Sequence, residues 1–155
     1  MALIDFMPLR ESHASIVRIV DGRSGTVAMK MELIVRYDYG AVTPWVRREY
    51  GGLSAVAGPN GLFLSTPVEL HGKDFTTVSA FEVSDGDRVP FTLQWFPSHQ
   101  DPPSVADPFG RLEATRSWWV DWTGRCTYQG EHADLVRRSF ITLKALTYAP
   151  TGGIV

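Results

Sequence analysis

The chain has 155 residues, of which 44% are hydrophobic and 21% charged, a composition typical of a globular domain with its own core. Its net charge of −2 and scattered basic residues exclude an extended nucleic-acid-binding surface. No apolar run approaches the ~20 residues of a membrane span, and the amino terminus lacks the pattern of a signal peptide. The single cysteine, Cys126, excludes an internal disulfide. We therefore predict a cytoplasmic protein with no nucleic-acid or membrane partner.

The first two-thirds of the chain show the alternation that is typical of β-strands. From residue 27 to 39 the odd positions are apolar or aromatic and most even positions are polar, which predicts one buried face. Residues 15–20 precede this segment across DGRSG, and the two are predicted to form a hairpin. Further hairpins are predicted from 53–58 with 61–70 through GPNG, and from 76–83 with 88–96 through SDGD. Pro90 indicates a sheet edge, or at least a missing ladder donor.

A proline-rich stretch, PSHQDPPSVADP (97–108), precedes a change from strand to helix spacing. Asp107 is expected to cap the first helix with Pro108 at its first position. The apolar stripe of this helix is predicted to contain Leu112, Thr115, Trp119 and Trp122. A second helix is predicted from about residue 131 to 148, with a buried face made of Ala133, Val136, Phe140, Leu143 and Leu146 or Thr147.

These elements predict a mainly β fold, namely an antiparallel, supersandwich-like β-sandwich followed by two C-terminal α-helices. We place the sandwich at residues 1–98, the proline-rich connection at 99–108 and the helical part at 109–155.

The residue types that carry most enzyme chemistry do not form a recognisable motif here. The four histidines, His13, His71, His99 and His132, lack metal-ligand spacing. Two local carboxylate pairs are candidates, Asp85 with Asp87, in a turn, and Glu113 with Asp121, two helical turns apart. No nucleophile elbow and no phosphate-binding glycine loop is present. The sequence therefore predicts no catalytic residue, no metal ligand and no cofactor.

The five tryptophans offer the remaining candidate chemistry, because indole rings can stack on sugars. Trp118, Trp119 and Trp122 share the first helix and Trp95 lies on an apolar strand face, which favours packing roles. Trp45, in TPWVRREY, is next to a proline and two arginines and fits either an exposed tip or a local plug. It is the single candidate for a substrate-binding residue.

Four stretches of the chain resemble one enzyme family. They are DFMPLR (5–10), VRIVDGRSGTVAMKMELIVRYDYG (17–40), PWVRREYGGLSAVAGPNGLFLSTPV (44–68) and RSFITLKALTYAPTGGIV (138–155). In order and in content they are similar to bacterial members of glycoside hydrolase family 15, the glucoamylase-like and trehalase-like enzymes. The match is collinear over nearly the whole chain.

The resemblance implies that the chain is a non-catalytic part of a larger enzyme. Family members have an N-terminal trehalase-like β-sandwich, a helical linker and an (α/α)6 barrel in which two glutamates act by inversion on a glycosidic bond. Both glutamates would follow Val155, so residues 109–155 would be the linker and the start of a truncated barrel, and residues 1–155 alone would be inactive. The partners implied are that barrel and, for the parent enzyme, trehalose or another α-glucoside.

Two further expectations follow from the resemblance. The sandwich is expected to lack its first strands, which leaves unpaired strand edges and predicts a homo-oligomer. The alternative function is a carbohydrate-binding or oligomerisation module with no enzymatic role. The substrate of the parent, whether trehalose, an α-1,4 glucan or an α-1,6 glucan, stays open, as does a choice between an excised piece and a truncated gene.

Overall fold

The computed structural model describes residues 1–9, 13–104, 106–148 and 150–154. Val105, within the predicted connection, and the terminal Val155 lie outside these ranges. Two compact units are present, Met1–Arg111 and Leu112–Val155. The domain bounds given above, 1–98, 99–108 and 109–155, stay predictions.

The first unit is built from antiparallel strands. Their bounds are β1 Ala2–Phe6, β2 Ser15–Asp21, β3 Thr26–Leu33, β4 Trp45–Glu49, β5 Gly52–Ala57, β6 Asn60–Ser65, β7 His71–Lys73, β8 Thr76–Ser84 and β9 Arg88–Pro97. Sheet A has the order β1-β2-β9-β6-β5-β4, and sheet B has the order β3-β8-β7. Together with the two helices found among the described residues, this confirms the predicted fold class.

The core of this unit lies between the two sheets. Sheet A contributes Val20, Leu53, Leu64 and Phe91, and sheet B contributes Val83 with the half-buried Met29, Met31, Leu33 and Phe81. The Phe81 and Phe91 rings meet across the interface at 5.6 Å between centroids. Burial of these apolar side chains is the main force that holds the two layers together.

Two of the three predicted hairpins are wrong. Strands β2 and β3 lie in different sheets, since β2 pairs with β1 and β9 whereas β3 pairs with β8. Strands β8 and β9 are likewise separated, although residues 84–87 do form a tight turn in which the Asp87 N–H bonds the Ser84 carbonyl. Each short connection carries the chain from one sheet to the other, because the apolar faces of consecutive strands then meet across the core.

The second predicted hairpin is present, and the strand pairing of β9 accounts for Pro90. Strands β5 and β6 pair through a tight turn with Gly58 at φ +55°, which confirms the second hairpin. Strand β9 is central rather than at an edge, but β6 pairs with it only over residues 92–97. Pro90 therefore lies in a part of β9 that pairs with β2 on one side but not with β6 on the other. On the side of β6, the backbone N–H that proline lacks is not required for pairing.

Several elements of the first unit differ from the sequence prediction. The segment 27–39 alternates as expected from Met29 to Tyr37, but β3 ends at Leu33. Beyond it, Asp38 and Tyr39 adopt positive φ in a short 3₁₀ turn, which breaks the extended backbone. Strands β1, β4 and β7 were not predicted, because each has only three to five residues with weak periodicity.

The second unit contains most of helix α1, Pro108–Gly124, and helix α2, Ala133–Ala145. The predicted cap at the start of α1 is confirmed, since the Asp107 carboxylate accepts hydrogen bonds from the N–H groups of Phe109 and Gly110, both at 3.0 Å. The stripe of α1 is buried at Thr115 and half-buried at Leu112, Trp119 and Trp122.

The predicted buried face of α2 is wrong in its larger residues. Ala133, Val136 and Thr147 are half-buried, whereas Phe140, Leu143 and Leu146 are exposed. An apolar stripe stays in water wherever no other element packs on it, and periodicity alone does not show which part is covered. Helix α2 thus presents an uncovered apolar face.

Candidate functional site

Trp45, the substrate-binding candidate, begins β4 at the edge of sheet A. Its side chain is 79% exposed, so the indole is a tip rather than a plug. It borders a groove of about 310 Å³ whose floor includes Leu33, Leu53 and Ala55 from the sandwich core. The preceding Pro44 lies in the same wall and stiffens the backbone at the indole. An exposed indole beside a concave surface is the arrangement that sugar-binding proteins use for stacking.

Phe75 lies on another wall of the same groove and is 83% exposed. It occupies the two-residue loop between β7 and β8, where Asp74 has φ +49° and Phe75 has φ +57°. This left-handed conformation costs an ordinary residue about 1–2 kcal/mol. Arg36 holds the loop, because its guanidinium donates to the carbonyls of Val35 at 2.7 Å and Phe75 at 3.2 Å. A strained, exposed aromatic residue is a reasonable marker of function.

The polar lining of the groove is balanced in charge. Lys73 and Asp74 supply one charge of each sign, and Thr43, Thr76 and Thr77 supply hydroxyls. Such a set can hydrogen-bond a neutral, hydroxyl-rich ligand while the aromatic rings contact its apolar face. It lacks the two facing carboxylates that glycoside hydrolysis needs, because Asp74 is the one acid in the lining.

One member of each carboxylate pair predicted from the sequence has a structural partner. Asp87 accepts a hydrogen bond from the Ser84 N–H at 2.8 Å and so closes the turn between β8 and β9. Glu113 pairs with Arg116 at 3.7 Å on the exposed face of α1. Neither arrangement resembles an acid and base placed across a substrate.

Asp5 is the carboxyl group with the clearest electrostatic perturbation. Both its oxygens accept hydrogen bonds from the Arg18 guanidinium at 2.7 Å, across the β1–β2 pair. These bonds hold the pKa of the Asp5 carboxyl below its ordinary value and raise that of Arg18. A general acid requires the opposite shift, so Asp5 is a structural ion-pair partner.

The remaining predicted residues are dispersed. His13 packs its ring edge-on against Trp95 at 5.7 Å, and His71 lies 3.7 Å from the Glu69 carboxylate. Over residues 1–9, 13–104, 106–148 and 150–154, no three His, Cys, Asp or Glu side chains converge to hold a metal ion. No helix in this part of the chain is long and apolar enough to span a bilayer.

The other tryptophans occupy packing positions. Trp95 is half-buried and donates from Nε1 to the Asn60 side chain at 3.0 Å. Trp118 and Trp122 each make an edge contact with Trp119, and the Lys144 ammonium lies 6.0 Å from the centre of the Trp118 ring. Phe75 is not among the residues predicted from the sequence, although an aromatic residue directly after an aspartate, between two short strand-forming runs, is a signal of an exposed loop tip.

Comparison with known proteins identifies relatives of a single kind. No protein-family model and no solved structure matches the chain. It is similar to the trehalase of Thermoplasma acidophilum, with 28% identity over 160 residues, covering 97% of this chain and 27% of that enzyme. The trehalase of Thermoplasma volcanium is 22% identical over 159 residues, covering 100% of this chain and 26% of the relative. The trehalase of Mycobacterium tuberculosis is 27% identical over 150 residues, covering 90% of this chain and 22% of that enzyme. The chain therefore spans about a quarter of the length of the curated relatives it matches.

Proposed function

We propose that the chain is the N-terminal, non-catalytic segment of an inverting α-glucosidic hydrolase of glycoside hydrolase family 15, of the trehalase or glucoamylase type. The observation that carries the proposal is the coverage of the trehalase relatives. The similarity runs along at least 90% of this chain but along only 22–27% of each relative. A segment of this kind would support the folding and positioning of a catalytic barrel on the remaining three-quarters.

The carboxylates support a non-catalytic role. Inversion requires an acid and a base about 6.5–9.5 Å apart with room for a water between them. The groove beside Trp45 contains Asp74 as its one carboxylate, and Asp5 and Asp87 are engaged in structural hydrogen bonds.

The uncovered apolar face of α2 supports a role beside a further folded part. Leu135, Phe140, Leu143 and Leu146 are exposed along one side of this helix and its C-terminal end. Exposed apolar patches of this kind mark interaction surfaces. A catalytic barrel is the partner that the length of the relatives favours.

Activity assays on the isolated 155-residue chain test the non-catalytic role. We expect no release of glucose from trehalose, maltose or soluble starch, because the catalytic glutamates would lie elsewhere. Turnover of any of the three, abolished by replacing one carboxylate within the chain, would overturn the proposal. Loss of turnover in the variant distinguishes the chain's own activity from a contaminating glycosidase.

Carbohydrate binding at the Trp45 groove is the second candidate function. It is favoured by Trp45 and Phe75, two highly exposed aromatic residues on one groove with a balanced polar lining. Titration calorimetry with maltoheptaose and with trehalose tests it. Heat that is lost in Trp45→Ala but kept in Tyr50→Ala, which removes an even more exposed ring outside the groove, would support binding. The absence of heat at millimolar sugar would exclude it for this chain.

A further inference from the structure

The guanidinium group of Arg88 lies over the ring of Phe109, with 4.6 Å between Cζ and the ring centroid. Arg88 is the first residue of β9, and Phe109 is the second residue of α1. Both belong to the unit Met1–Arg111, so the contact lies within that unit. A cation within about 6 Å of a ring centroid is attracted to the face of the ring. The contact therefore joins the first turn of α1 to one end of the sandwich.

Arg88 is itself held in place by β2. Its Nε atom lies 3.4 Å from Oδ1 of Asp21, which is its direct partner in the register of β2 and β9. The other oxygen of Asp21 accepts a hydrogen bond from Nε of Arg23 at 3.2 Å. The strand pairing and the ion pair together fix the guanidinium of Arg88 at this end of sheet A.

The charges around Asp21 favour an aromatic neighbour for Arg88. One carboxylate faces two guanidinium groups, so this cluster keeps a surplus positive charge. The face of an aromatic ring carries a negative partial charge. Phe109 can therefore act as a partner of Arg88 without a second carboxylate. The Arg88 side chain is 41% exposed, so the contact forms at the rim of the sandwich and not in its core.

The first turn of α1 has few other polar ties to the strands. Its amide hydrogen bonds are local, since the N–H groups of Phe109 and Gly110 donate to the Asp107 carboxylate and that of Arg111 donates to the Asp107 carbonyl. In the part of the chain that the structure describes, no hydrogen bond or ion pair joins residues 108–111 to a strand. The half-buried Phe109 ring is thus held to the strands by Arg88 through a cation–π contact.

We propose that Arg88 is a latch for the first turn of α1, and that this turn opens locally, with Phe109 leaving the guanidinium, while both sheets stay folded. One contact at the rim opens more readily than the strand ladders, which open only with the whole sandwich. Arg88 is a positioning residue in this device, because Asp21 fixes the cation and the cation fixes the start of the helix. The inference rests on these contacts alone and holds whether or not the chain belongs to a hydrolase.

Native-state amide hydrogen exchange on the intact chain tests the latch. Arg88→Gln keeps a polar side chain but removes the cation. We expect the amides of Phe109 and Gly110 to exchange at least about threefold faster in this variant, and those of β5 and β6 to keep their rates. The matched control is Arg23→Gln, which removes the other arginine from Asp21 but none that lies over Phe109. This variant should leave the Phe109 and Gly110 amides unchanged.

A double-mutant cycle with Phe109→Leu supplies the second readout. Leucine keeps an apolar side chain but has no ring, so this variant should also speed exchange at Gly110, whereas Phe109→Tyr should not. Arg88→Gln combined with Phe109→Leu should exchange no faster than either single variant, because the contact is already lost in each. Additive effects, unchanged exchange in Arg88→Gln, or equal acceleration in Arg23→Gln would overturn the proposal. Faster exchange throughout β5 and β6 would also overturn it, since Arg88 would then stabilise the whole sandwich and not a local latch.

Discussion

Gly22 and Asp87 join the two connections that carry the chain between the sheets. The Gly22 N–H donates to the Asp87 carbonyl at 2.8 Å, and the Gly22 carbonyl accepts from the Gly86 N–H at 3.1 Å. One connection links β2 to β3 and the other links β8 to β9, so this contact ties both layers of the sandwich at one end. A Cβ atom at residue 22 would lie 1.9 Å from the Ser84 carbonyl oxygen, which leaves space for glycine only.

Replacement of Gly22 should therefore destabilise the sandwich strongly. We expect Gly22→Ala to lower the free energy of unfolding by about 2–3 kcal/mol, because backbone must move to relieve the clash. Urea unfolding followed by tryptophan fluorescence measures this. Gly25→Ala is the matched control, since Gly25 has φ +64° but open space around it, and should cost only about 1 kcal/mol. Equal losses in the two variants would contradict a role for close approach at Gly22.

Removal of the Phe75 side chain should stabilise the chain. We expect Phe75→Gly to raise the free energy of unfolding by on the order of 0.5 kcal/mol, because glycine relieves the left-handed strain and the exposed ring loses little burial. If the groove binds sugar, the same variant should lose that binding. If Phe75→Gly instead destabilised the chain by more than about 1 kcal/mol, the ring would have to pack against the protein, which contradicts an exposed position.

The Asp5–Arg18 pair should make a small, acid-sensitive contribution to stability. The pKa of Asp5 is lower in the folded chain than its ordinary value of 3.8, so the folded state favours the charged form. This stabilisation is present above pH 4 and disappears as the pH falls through the lower folded value. Both side chains are at least half exposed, so the contribution should not exceed about 1 kcal/mol.

Comparison of the wild type with Asp5→Asn tests this assignment. The difference in free energy of unfolding should be positive at pH 6, shrink on acidification and diminish in high salt. A difference that persists unchanged at pH 2 would show that the asparagine acts through packing and not through lost charge.

The exposed face of α2 predicts self-association of the isolated chain, consistent with the expected homo-oligomer. Leu143→Lys should shift light-scattering mass toward the monomer, because a charge opposes burial of this face. Arg138→Lys, an exposed substitution that keeps the charge, serves as control. A wild-type chain that is monomeric at high micromolar concentration would contradict the prediction.

The sequence predicted the local elements better than the way they assemble. Alternation at Met29–Tyr37, the Asp107 cap and the GPNG turn are each determined by neighbouring residues, and all three are present. Strand pairing was wrong where tight turns such as 84–87 join different sheets, since a turn sequence specifies chain reversal and not hydrogen-bonding partners. The exposed face of α2 was called buried because periodicity identifies an apolar stripe but not the surface that covers it.

The candidate site was likewise predictable only where neighbouring residues determine it. Trp45 is predicted from its neighbours, Pro44 and two arginines, which fit either an exposed tip or a local plug. Phe75 was missed, because its place on the same groove depends on β7 pairing with β8 some 30 residues beyond Trp45. No local pattern could show that Trp45, on β4, and Phe75, in the β7–β8 loop, border one groove.

The central proposal, a supporting segment of a larger α-glucosidic hydrolase, is tested most directly by complementation. The trehalase of Thermoplasma acidophilum would be produced without the quarter that it shares with this chain, and its trehalose hydrolysis measured with and without the 155-residue protein. We predict that the shortened enzyme has little activity alone and gains at least about tenfold when this chain is added. The matched control is the Gly22→Ala variant, which should restore less. Full activity of the shortened enzyme alone, with no change on addition of the chain, would contradict the account.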